Sequence, residues 1–216
     1  MGTVIPLSDA SRRTRSFPLI TSLIILLNAF VFVRELVGGD AFVAKWAAIP
    51  AGIFTDHHWI TIFTAMFMHG GWLHIIGNMV FLWAFGPEME DAMGKGRYLL
   101  FYLLGGVIAM LAQVAGNPSS TVPTLGASGA IAAVMGAFIV TYPRDRIKSI
   151  LIILIFVRVT MIPAVLLIGF WFLIQLFNAG AVANVQTGGV AYLAHVGGFI
   201  FGALTARLWR RAPVWS

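Results

Sequence analysis

Residues 128–142 read SGAIAAVMGAFIVTY, an apolar run that begins at Ser128 and stops before Pro143. At 1.5 Å per residue, a helix from Ser128 to Pro143 is about 22 Å long, whereas the hydrocarbon core of a bilayer is about 30 Å thick. With Pro143 at one membrane face, Ser128 lies roughly 8 Å below the other. The irregular segment before Ser128 must then enter the membrane, which is tolerated only inside protein or beside a water-filled cavity. The stretch therefore predicts a short membrane helix that starts in a wet pocket.

The composition of the whole chain indicates a membrane protein. Of its 216 residues, 59% are hydrophobic and only 10% are charged, and the mean hydropathy is +0.91. A soluble domain carries about 25% charged residues, so most of this surface is expected to face lipid. The net charge of +6 comes from short basic clusters between apolar runs, which favours a membrane surface over nucleic acid as the partner. There is no cysteine, which excludes disulfides and thiolate chemistry.

Six apolar stretches are candidates for transmembrane helices, which need about 20 residues each. They are Phe17–Val37, Trp72–Gly86, Tyr98–Ala115, Ser128–Tyr142, Pro163–Asn178 and Val190–Trp209. Basic clusters lie at 12–15, 95–97, 144–148 and 207–211, and six spans with both termini cytoplasmic place all of them inside. We therefore predict an all-α, multi-pass membrane domain over residues 17–211, with short tails at 1–16 and 212–216.

Two segments do not fit this scheme directly. Gly38–Gly71 is an external loop that is nevertheless apolar, and Trp46 and Trp59 within it are typical of the head-group level. We predict that this long first external loop lies in the membrane interface. Residues 147–162 are apolar but interrupted by Arg158 and followed by Pro163. We predict that they form an interfacial or re-entrant segment on the cytoplasmic side.

The sixth span carries a polar residue at the depth of Ser128. His195 precedes Arg210 by as many residues as Ser128 precedes Pro143, so both side chains are expected about 22 Å from the inner face. A hydroxyl and an imidazole at one level beside a wet pocket are the components of an activated nucleophile. Either residue alone could serve helix packing, but their agreement in depth favours a functional site.

The second span adds further polar residues to this region. His74 and Asn78 are four residues apart and share one helix face in the outer half of the span. His69 lies just above them, at the entrance of the helix. All three are therefore expected near the level of the serine and the histidine.

Small residues on the fourth and sixth spans indicate that these helices approach closely. Gly129 follows Ser128, and Gly198 and Gly202 form a GxxxG pair one turn below His195. Small residues let helix backbones touch in lipid. The serine and the histidine can therefore come within hydrogen-bonding distance.

Three elements occur along the sequence in this order: HGGWLHIIGN at 69–78, GASG at 126–129 and AHVGGFIFG at 194–202. Together they resemble the rhomboid family of intramembrane serine proteases, over about residues 59–202. GxSG alone is weak evidence, but the three elements on the second, fourth and sixth spans are highly specific. The resemblance implies a six-helix bundle that cleaves transmembrane helices near their entry into the membrane. Substrates would enter laterally, past the second and fifth helices, and no metal or nucleotide would be needed.

The resemblance also implies roles for the candidate residues. Ser128 matches the family's nucleophile, and His195 matches its general base. His74 and Asn78 match the side chains that hold the oxyanion together with the backbone N–H of Ser128. The matches with a structural role are His69, which braces the loop above the site, and Gly126 and Gly129, which let the backbone bend.

The partners that follow are transmembrane protein substrates and the lipid bilayer, without nucleic acid. Short tails and the lack of an appended soluble domain favour a bacterial cytoplasmic membrane.

The orientation of His195 is not explained by the sequence. Some relatives carry an aromatic residue one turn after the serine, where this chain has Ala132, so another group must orient the ring. Among the acids only Glu35 falls within a span, where we expect it to share solvation with Arg34. Because no carboxylate is placed behind His195, we predict a Ser–His dyad rather than a triad. Gln175 is interpreted as a helix contact.

Two other classes of function remain open. A catalytically silent relative that binds transmembrane clients is one, although the intact Ser128 and His195 argue against it. A small transporter or channel is the other, but it would be expected to show inverted repeats or charges along a path, and neither is seen. A zinc protease is disfavoured because there is no HExxH motif and the five histidines occur without clustered acids or cysteines.

Overall fold

The computed structural model describes residues 2–181 and 190–211, and most of them are helical. The helices are α1 (Leu19–Trp46), α2 (Pro50–Thr55), α3 (Thr61–Thr64), α4 (Trp72–Met93), α5 (Lys95–Gly116), α6 (Ser128–Thr141), α7 (Ala164–Ala181) and α8 (Tyr192–Trp209). Helix α1 and the helices from α4 to α8 occupy the six stretches predicted as spans. The predicted tail 212–216, and residues 182–189 between the fifth and sixth predicted spans, lie outside the described residues.

Length and composition identify three described helices as able to cross a membrane, namely α1, α5 and α7. A fourth candidate is the pair formed by Thr61–Phe67 and α4, which is bent by 88°. Helix α6 is apolar but has only 14 residues, so it is short, as predicted. The chain is therefore an integral membrane protein, whereas six crossings stay a prediction.

Helix α1 is longer than predicted. It continues beyond Val37 to Trp46, with a break at Gly39, where φ is 57° and ψ is −151°. A positive φ of this size is accessible to glycine at little cost. The residues after the break, together with α2 and α3, make up the segment predicted to lie in the interface, and its depth stays a prediction.

Helix α6 lies at the centre of the bundle. All of its residues from Gly129 to Phe138 are buried, and it contacts α4, α5 and α8. Phe138 packs edge-on against Phe85 of α4, with ring centroids 5.2 Å apart. These contacts on several sides fix the position of α6, and with it the position of its first residue, Ser128.

The prediction of an all-α protein is wrong in one region. Three antiparallel strands form a sheet in the order β1 (Gly2–Asp9), β2 (Arg146–Ile153) and β3 (Phe156–Pro163). Strands β2 and β3 take up the residues 147–162 that were expected to form an interfacial or re-entrant segment, and β1 lies within the predicted tail 1–16. The hairpin is rich in isoleucine and valine, which favour extended backbone. Hydropathy does not distinguish so short an apolar strand from a helical segment.

The sheet bridges two helices that flank the bundle. Strand β1 contacts α4, whereas β2 and β3 contact α7. An ionic cluster lies at the end of the sheet that contains Asp9 and Arg146, which we call its base. Arg12 Nη2 donates to Asp145 Oδ1 over 2.9 Å, and Arg12 Nε lies 3.4 Å from Asp9 Oδ2. The guanidinium group of Arg12 also lies over the ring of Tyr142, 3.7 Å from its centroid.

The two carboxyl groups of this cluster differ in acidity. Burial raises the pKa of Asp9 to about 6, against the hydrogen bond from Ser11, and the neighbouring Asp145 raises it further. Burial also disfavours the charged form of Asp145, but hydrogen bonds from Arg12 and Asp9 outweigh it and lower the pKa of Asp145. Asp9 therefore keeps its proton to a higher pH than an exposed aspartate, while Asp145 carries the charge that pairs with Arg12.

Candidate active site

The structure brings Ser128 and His195 together. Ser128 is the first residue of α6, and His195 lies in the first turn of α8. The Oγ of Ser128 is 2.7 Å from Nε2 of His195, which is a hydrogen bond between a hydroxyl and an imidazole. His195 is buried and Ser128 is partly exposed. The proximity expected from equal depth on the two helices is therefore present.

The second ring nitrogen of His195 contacts Gln175 of α7. Its Nδ1 is 2.8 Å from Gln175 Oε1, and Gln175 Nε2 donates to the carbonyl oxygen of Trp171 over 3.4 Å. Because the amide nitrogen is used on Trp171, the amide oxygen faces the imidazole and Nδ1 must carry the proton. The lone pair of Nε2 then accepts the Ser128 hydroxyl. Gln175 was interpreted as a helix contact, and this interpretation is incomplete, because its partner is the histidine.

An aromatic side chain completes the environment of His195. The rings of Trp171 and His195 are 5.6 Å apart between centroids. Trp171 precedes Gln175 by one helical turn, so both side chains lie on the same face of α7. They supply from α7 the orienting contacts that Ala132, which is fully buried on α6, cannot provide.

Backbone contact sets the separation of α6 and α8. A Cβ atom added at Gly198 would collide with the carbonyl oxygen of Gly129, and one added at Gly202 would collide with the carbonyl oxygen of Ala133. On the other helix, a Cβ at Gly136 would collide with the carbonyl oxygen of Phe199. The predicted small residues are therefore the ones at which the two backbones touch.

His74 of α4 faces the same space as Ser128. Its Nδ1 accepts the backbone N–H of Gly70 over 3.3 Å, so in the neutral ring Nε2 carries the proton and is a donor. Gly126 has a φ of +136°, and a Cβ there would lie 3.0 Å from Nε2 of His74 and 3.5 Å from Oγ of Ser128. The positive φ and the limited space both favour glycine at position 126. Nε2 of His74 and Oγ of Ser128 both lie next to this residue.

Two more donors lie in this region. Asn78 is buried one turn below His74 on α4, and its Nδ2 has no hydrogen-bond partner among the described residues. The backbone N–H of Ser128 is at the start of a helix, where N–H groups have no acceptor within the helix. The positive end of the helix dipole adds to the potential there. The oxyanion role that the sequence analysis expects of His74, Asn78 and the Ser128 N–H stays a prediction.

His69 is held by an acid that the sequence analysis assigned elsewhere. The backbone N–H of His69 donates to Oε2 of Glu35 over 2.8 Å, and both residues are buried. The ring of His69 meets the ring of His74 edge-on, with centroids 5.1 Å apart. Glu35 therefore points inward to the turn that precedes α4, rather than sharing solvation with Arg34 as predicted.

Gln113 is a further contact that the sequence analysis did not connect to this region. Its Oε1 accepts the backbone N–H of Ala194 over 3.2 Å. Ala194 lies in the first turn of α8, where N–H groups lack helical acceptors. This side chain therefore holds the start of the helix that carries His195. A lone amide in an apolar span is the only signal that the sequence provides for Gln113, and the same is true of Gln175.

The cavity beside Ser128 is small. It has a volume of about 10 Å³ and is lined by Gly126, Ser128 and Gly129 among others. A volume of this size is about the minimum for one water molecule, which is less than the wet pocket predicted from helix length. Within residues 2–181 and 190–211, no group of three histidine, cysteine, aspartate or glutamate side chains could hold a metal ion.

Most of the chain matches one family of known proteins. The sequence model of the rhomboid domain matches residues 56–212. The chain is 29% identical over 199 residues to the rhomboid protease GluP of Bacillus subtilis (strain 168), an alignment that covers 88% of this chain and 34% of that protein. It is 27% identical over 197 residues to the rhomboid protease GlpG of Yersinia pestis (strain Pestoides F), covering 90% of this chain and 63% of GlpG. It is 34% identical over 146 residues to rhomboid-like protease 5 of Toxoplasma gondii, covering 64% and 15%. The chain thus spans only part of the length of these relatives.

Proposed function

Because this chain belongs to the rhomboid family, we propose that it is an intramembrane serine endopeptidase that uses Ser128 and His195 as a catalytic dyad. The observation that carries the proposal is the 2.7 Å contact between Ser128 Oγ and His195 Nε2. Gln175 supports it, because its contact with Nδ1 of His195 leaves Nε2 free to accept the serine proton.

The reaction follows from this tautomer. Nε2 of His195 removes the proton from the hydroxyl of Ser128 as Oγ attacks the carbonyl carbon of the scissile bond. The carbonyl π electrons move to its oxygen, and the imidazolium donates Nδ1–H to Gln175. The carbonyl then re-forms as the C–N bond of the scissile peptide breaks, His195 gives the proton on Nε2 to the leaving amine, and an acyl-serine remains. Water activated by His195 hydrolyses this ester and restores the free serine.

In this proposal, three donors near the start of α6 stabilise the oxyanion. His74 offers Nε2–H, Asn78 offers an Nδ2 that has no hydrogen-bond partner among the described residues, and Ser128 offers its backbone N–H at the helix start. One such donor typically contributes roughly 3–4 kcal/mol to the transition state. The structural roles proposed for His69, Gly126, Gly129, Gly198 and Gly202 are to hold these groups at the required separations.

The substrates proposed are transmembrane helices of other proteins, cut near the membrane face closest to Ser128. They would enter from the bilayer between α4 and α7. Both termini would be cytoplasmic, in a bacterial cytoplasmic membrane, and no metal or cofactor is needed by the dyad. A silent client-binding protein is not favoured, because it would not require a hydrogen-bonded serine and histidine with a fixed tautomer.

Two measurements on purified protein in liposomes test the proposal. A fluorophosphonate probe should label the unaltered protein but not Ser128→Ala or His195→Ala, and cleavage of a transmembrane model substrate should fall by about 10⁴–10⁶-fold in both. Ser119→Ala, which removes an exposed hydroxyl from the segment before α6, is the matched control and should retain labelling and cleavage. Labelling or cleavage that persists in Ser128→Ala would overturn the dyad.

A further inference from the structure

An apolar groove runs along α1, and neither Ser128 nor His195 lines it. Its volume is about 760 Å³, and its wall is formed by both parts of α1 and by the segment that leads to α4. The groove results from the break at Gly39, because the residues after the break turn away from the axis of the first part. Apolar residues that line it include Leu27, Phe30, Phe42, Phe63, Phe67 and Met68. We call it the α1 groove.

Two basic side chains, Arg34 and Lys45, also line the α1 groove, and no acidic residue does so in the described part of the chain. Neither forms a salt bridge with a described residue. Lys45 Nζ lies 5.0 Å from the centroid of the Trp46 ring. This ring is uncharged, so it does not act as a counter-ion for the ammonium group. The groove therefore combines a long apolar surface with two cations that lack an anionic partner.

The position of Arg34 along α1 indicates the level of this charge in the membrane. Arg34 follows the first residue of α1, Leu19, by enough residues to lie about 22 Å along the helix axis. Its long side chain can extend further to the head groups, which begin about 30 Å from the opposite boundary. An exposed arginine on a membrane helix is costly unless it meets an anion or water. The phosphate of a lipid is the anion present at that level.

A second groove on α1 provides a contrast. It lies between α1 and α4, has a volume of about 590 Å³, and is lined by apolar residues such as Ile25, Met79 and Trp83 without any basic residue. Both grooves can accept hydrocarbon chains. Only the α1 groove can also pair with a charged head group.

We propose that the α1 groove binds one anionic phospholipid. Its phosphate contacts Arg34 and Lys45, and an acyl chain lies along Leu27, Phe30 and Phe67. The volume of the α1 groove falls within the range of sites that bind small molecules, about 300–1,000 Å³. This site is separate from Ser128 and His195, and binding there does not depend on peptide-bond cleavage.

Native mass spectrometry of the full chain, after delipidation and titration with phosphatidylglycerol or phosphatidylcholine, tests the proposal. The unaltered protein should retain one phosphatidylglycerol in preference to phosphatidylcholine. Arg34→Gln combined with Lys45→Gln should weaken that binding by about 25-fold, since each basic residue near a lipid surface contributes about fivefold. Arg13→Gln combined with Arg15→Gln, an exposed pair in the N-terminal segment, makes the same charge change elsewhere and should leave the retained lipid in place.

A third variant separates the apolar contact from the charges. Ala41→Trp fills the α1 groove, which Ala41 lines, and leaves both basic residues intact, so it should also reduce retention of phosphatidylglycerol. Equal retention of the two lipids by the unaltered protein would overturn the proposal. So would unchanged binding in Ala41→Trp, or an equal loss of binding in the Arg13/Arg15 control.

Discussion

Helix α6 lies between two polar clusters of different kinds. At its start, Ser128, His195 and Gln175 are joined by hydrogen bonds of 2.7 and 2.8 Å, and all three groups are neutral in the resting state. Beyond its end, Arg12 and Asp145 pair as full charges beside Asp9, whose pKa burial raises to about 6. The first cluster is buried among membrane helices, and the second lies at the base of the sheet, where the Arg12 side chain is 39% exposed.

The difference shows how surroundings decide which partner a polar group can have. A buried amide with its hydrogen bonds made costs far less than a buried carboxylate, which needs a compensating charge. Gln175 therefore meets the need for an acceptor behind His195 without placing an anion among apolar helices. At the base of the sheet, water can solvate Arg12, so an ion pair is tolerated there. A change in pH alters the charge of the carboxyl groups in this cluster.

Replacing Gln175 should have the largest effect that distinguishes the two clusters. Gln175→Leu leaves Nδ1 of the buried His195 without an acceptor, and a buried donor without a partner costs about 1–3 kcal/mol. The imidazolium formed during attack loses the same contact, so kcat should fall by about 10–100-fold. Cleavage kinetics of a transmembrane substrate in liposomes measure this.

A charged replacement at the same position tests whether the neutral character matters. Gln175→Glu would stabilise the imidazolium of His195 and should move the acidic limb of the rate profile to higher pH. A role limited to packing predicts no such displacement. If Gln175→Leu retains full kcat, the glutamine does not orient His195.

Glu35 sharpens the comparison, because it is a carboxylate close to the neutral cluster. Glu35→Leu removes the acceptor of the His69 N–H, and through His69 the support of His74, so kcat should fall by about tenfold with little change in KM. Glu35→Gln keeps an oxygen acceptor in the same place and should restore most of the rate. Steady-state kinetics of both variants provide the measurement, with Leu36→Ala on the exposed side of α1 as control.

If Glu35→Gln proves as slow as Glu35→Leu, the charge itself is required. The description of this end of α6 as a neutral cluster would then be wrong.

The smallest effect is expected from pH at the base of the sheet. The pKa of Asp9 is about 6 in the folded protein and 3.8 as an ordinary aspartate, so between these values the folded chain holds a proton that the unfolded chain has lost. Stability should therefore decrease as the pH rises from about 4 to about 6. Asp145, whose pKa is lowered, stays ionised throughout this window, and its contribution is lost only at more acidic pH.

Thermal unfolding in detergent across this window measures the effect. The Tm of the unaltered protein should fall by roughly 4–8 °C between pH 4 and pH 6. Asp9→Asn keeps a neutral group next to Asp145 and should flatten this dependence. An unchanged slope in Asp9→Asn would assign it to other groups.

The close approach of Ser128 and His195 could be predicted because depth in a membrane follows from residue count. Pro143 and Arg210 mark one boundary, and the equal number of residues before each puts the serine and the histidine at one level. The small residues at which the helices touch could also be identified from the sequence, because a glycine such as Gly198 has no side chain to keep the two backbones apart. The depth of a residue can therefore be obtained from the residue count where the sequence marks the membrane boundary of its helix.

The direction of a side chain around a helix axis could not be predicted in this way. Glu35 and Arg34 are adjacent in sequence, yet one points to His69 and the other lines the α1 groove. Gln175 looks the same in the sequence whether it contacts a neighbouring helix or the histidine. The sheet could not be predicted either, because the partners β1 and β2 are far apart along the chain and each alone is a short apolar run.

The pairing of β1 with β2 sets an order on the assembly of the protein during translation. Gly2–Asp9 leaves the ribosome long before Arg146–Ile153, to which it pairs. At 5–20 residues per second, roughly 7–30 s pass between the two strands. During that interval α1, α4, α5 and α6 are synthesised, and an apolar strand waits without its partner. The sheet can therefore form only after the first part of the bundle has been synthesised.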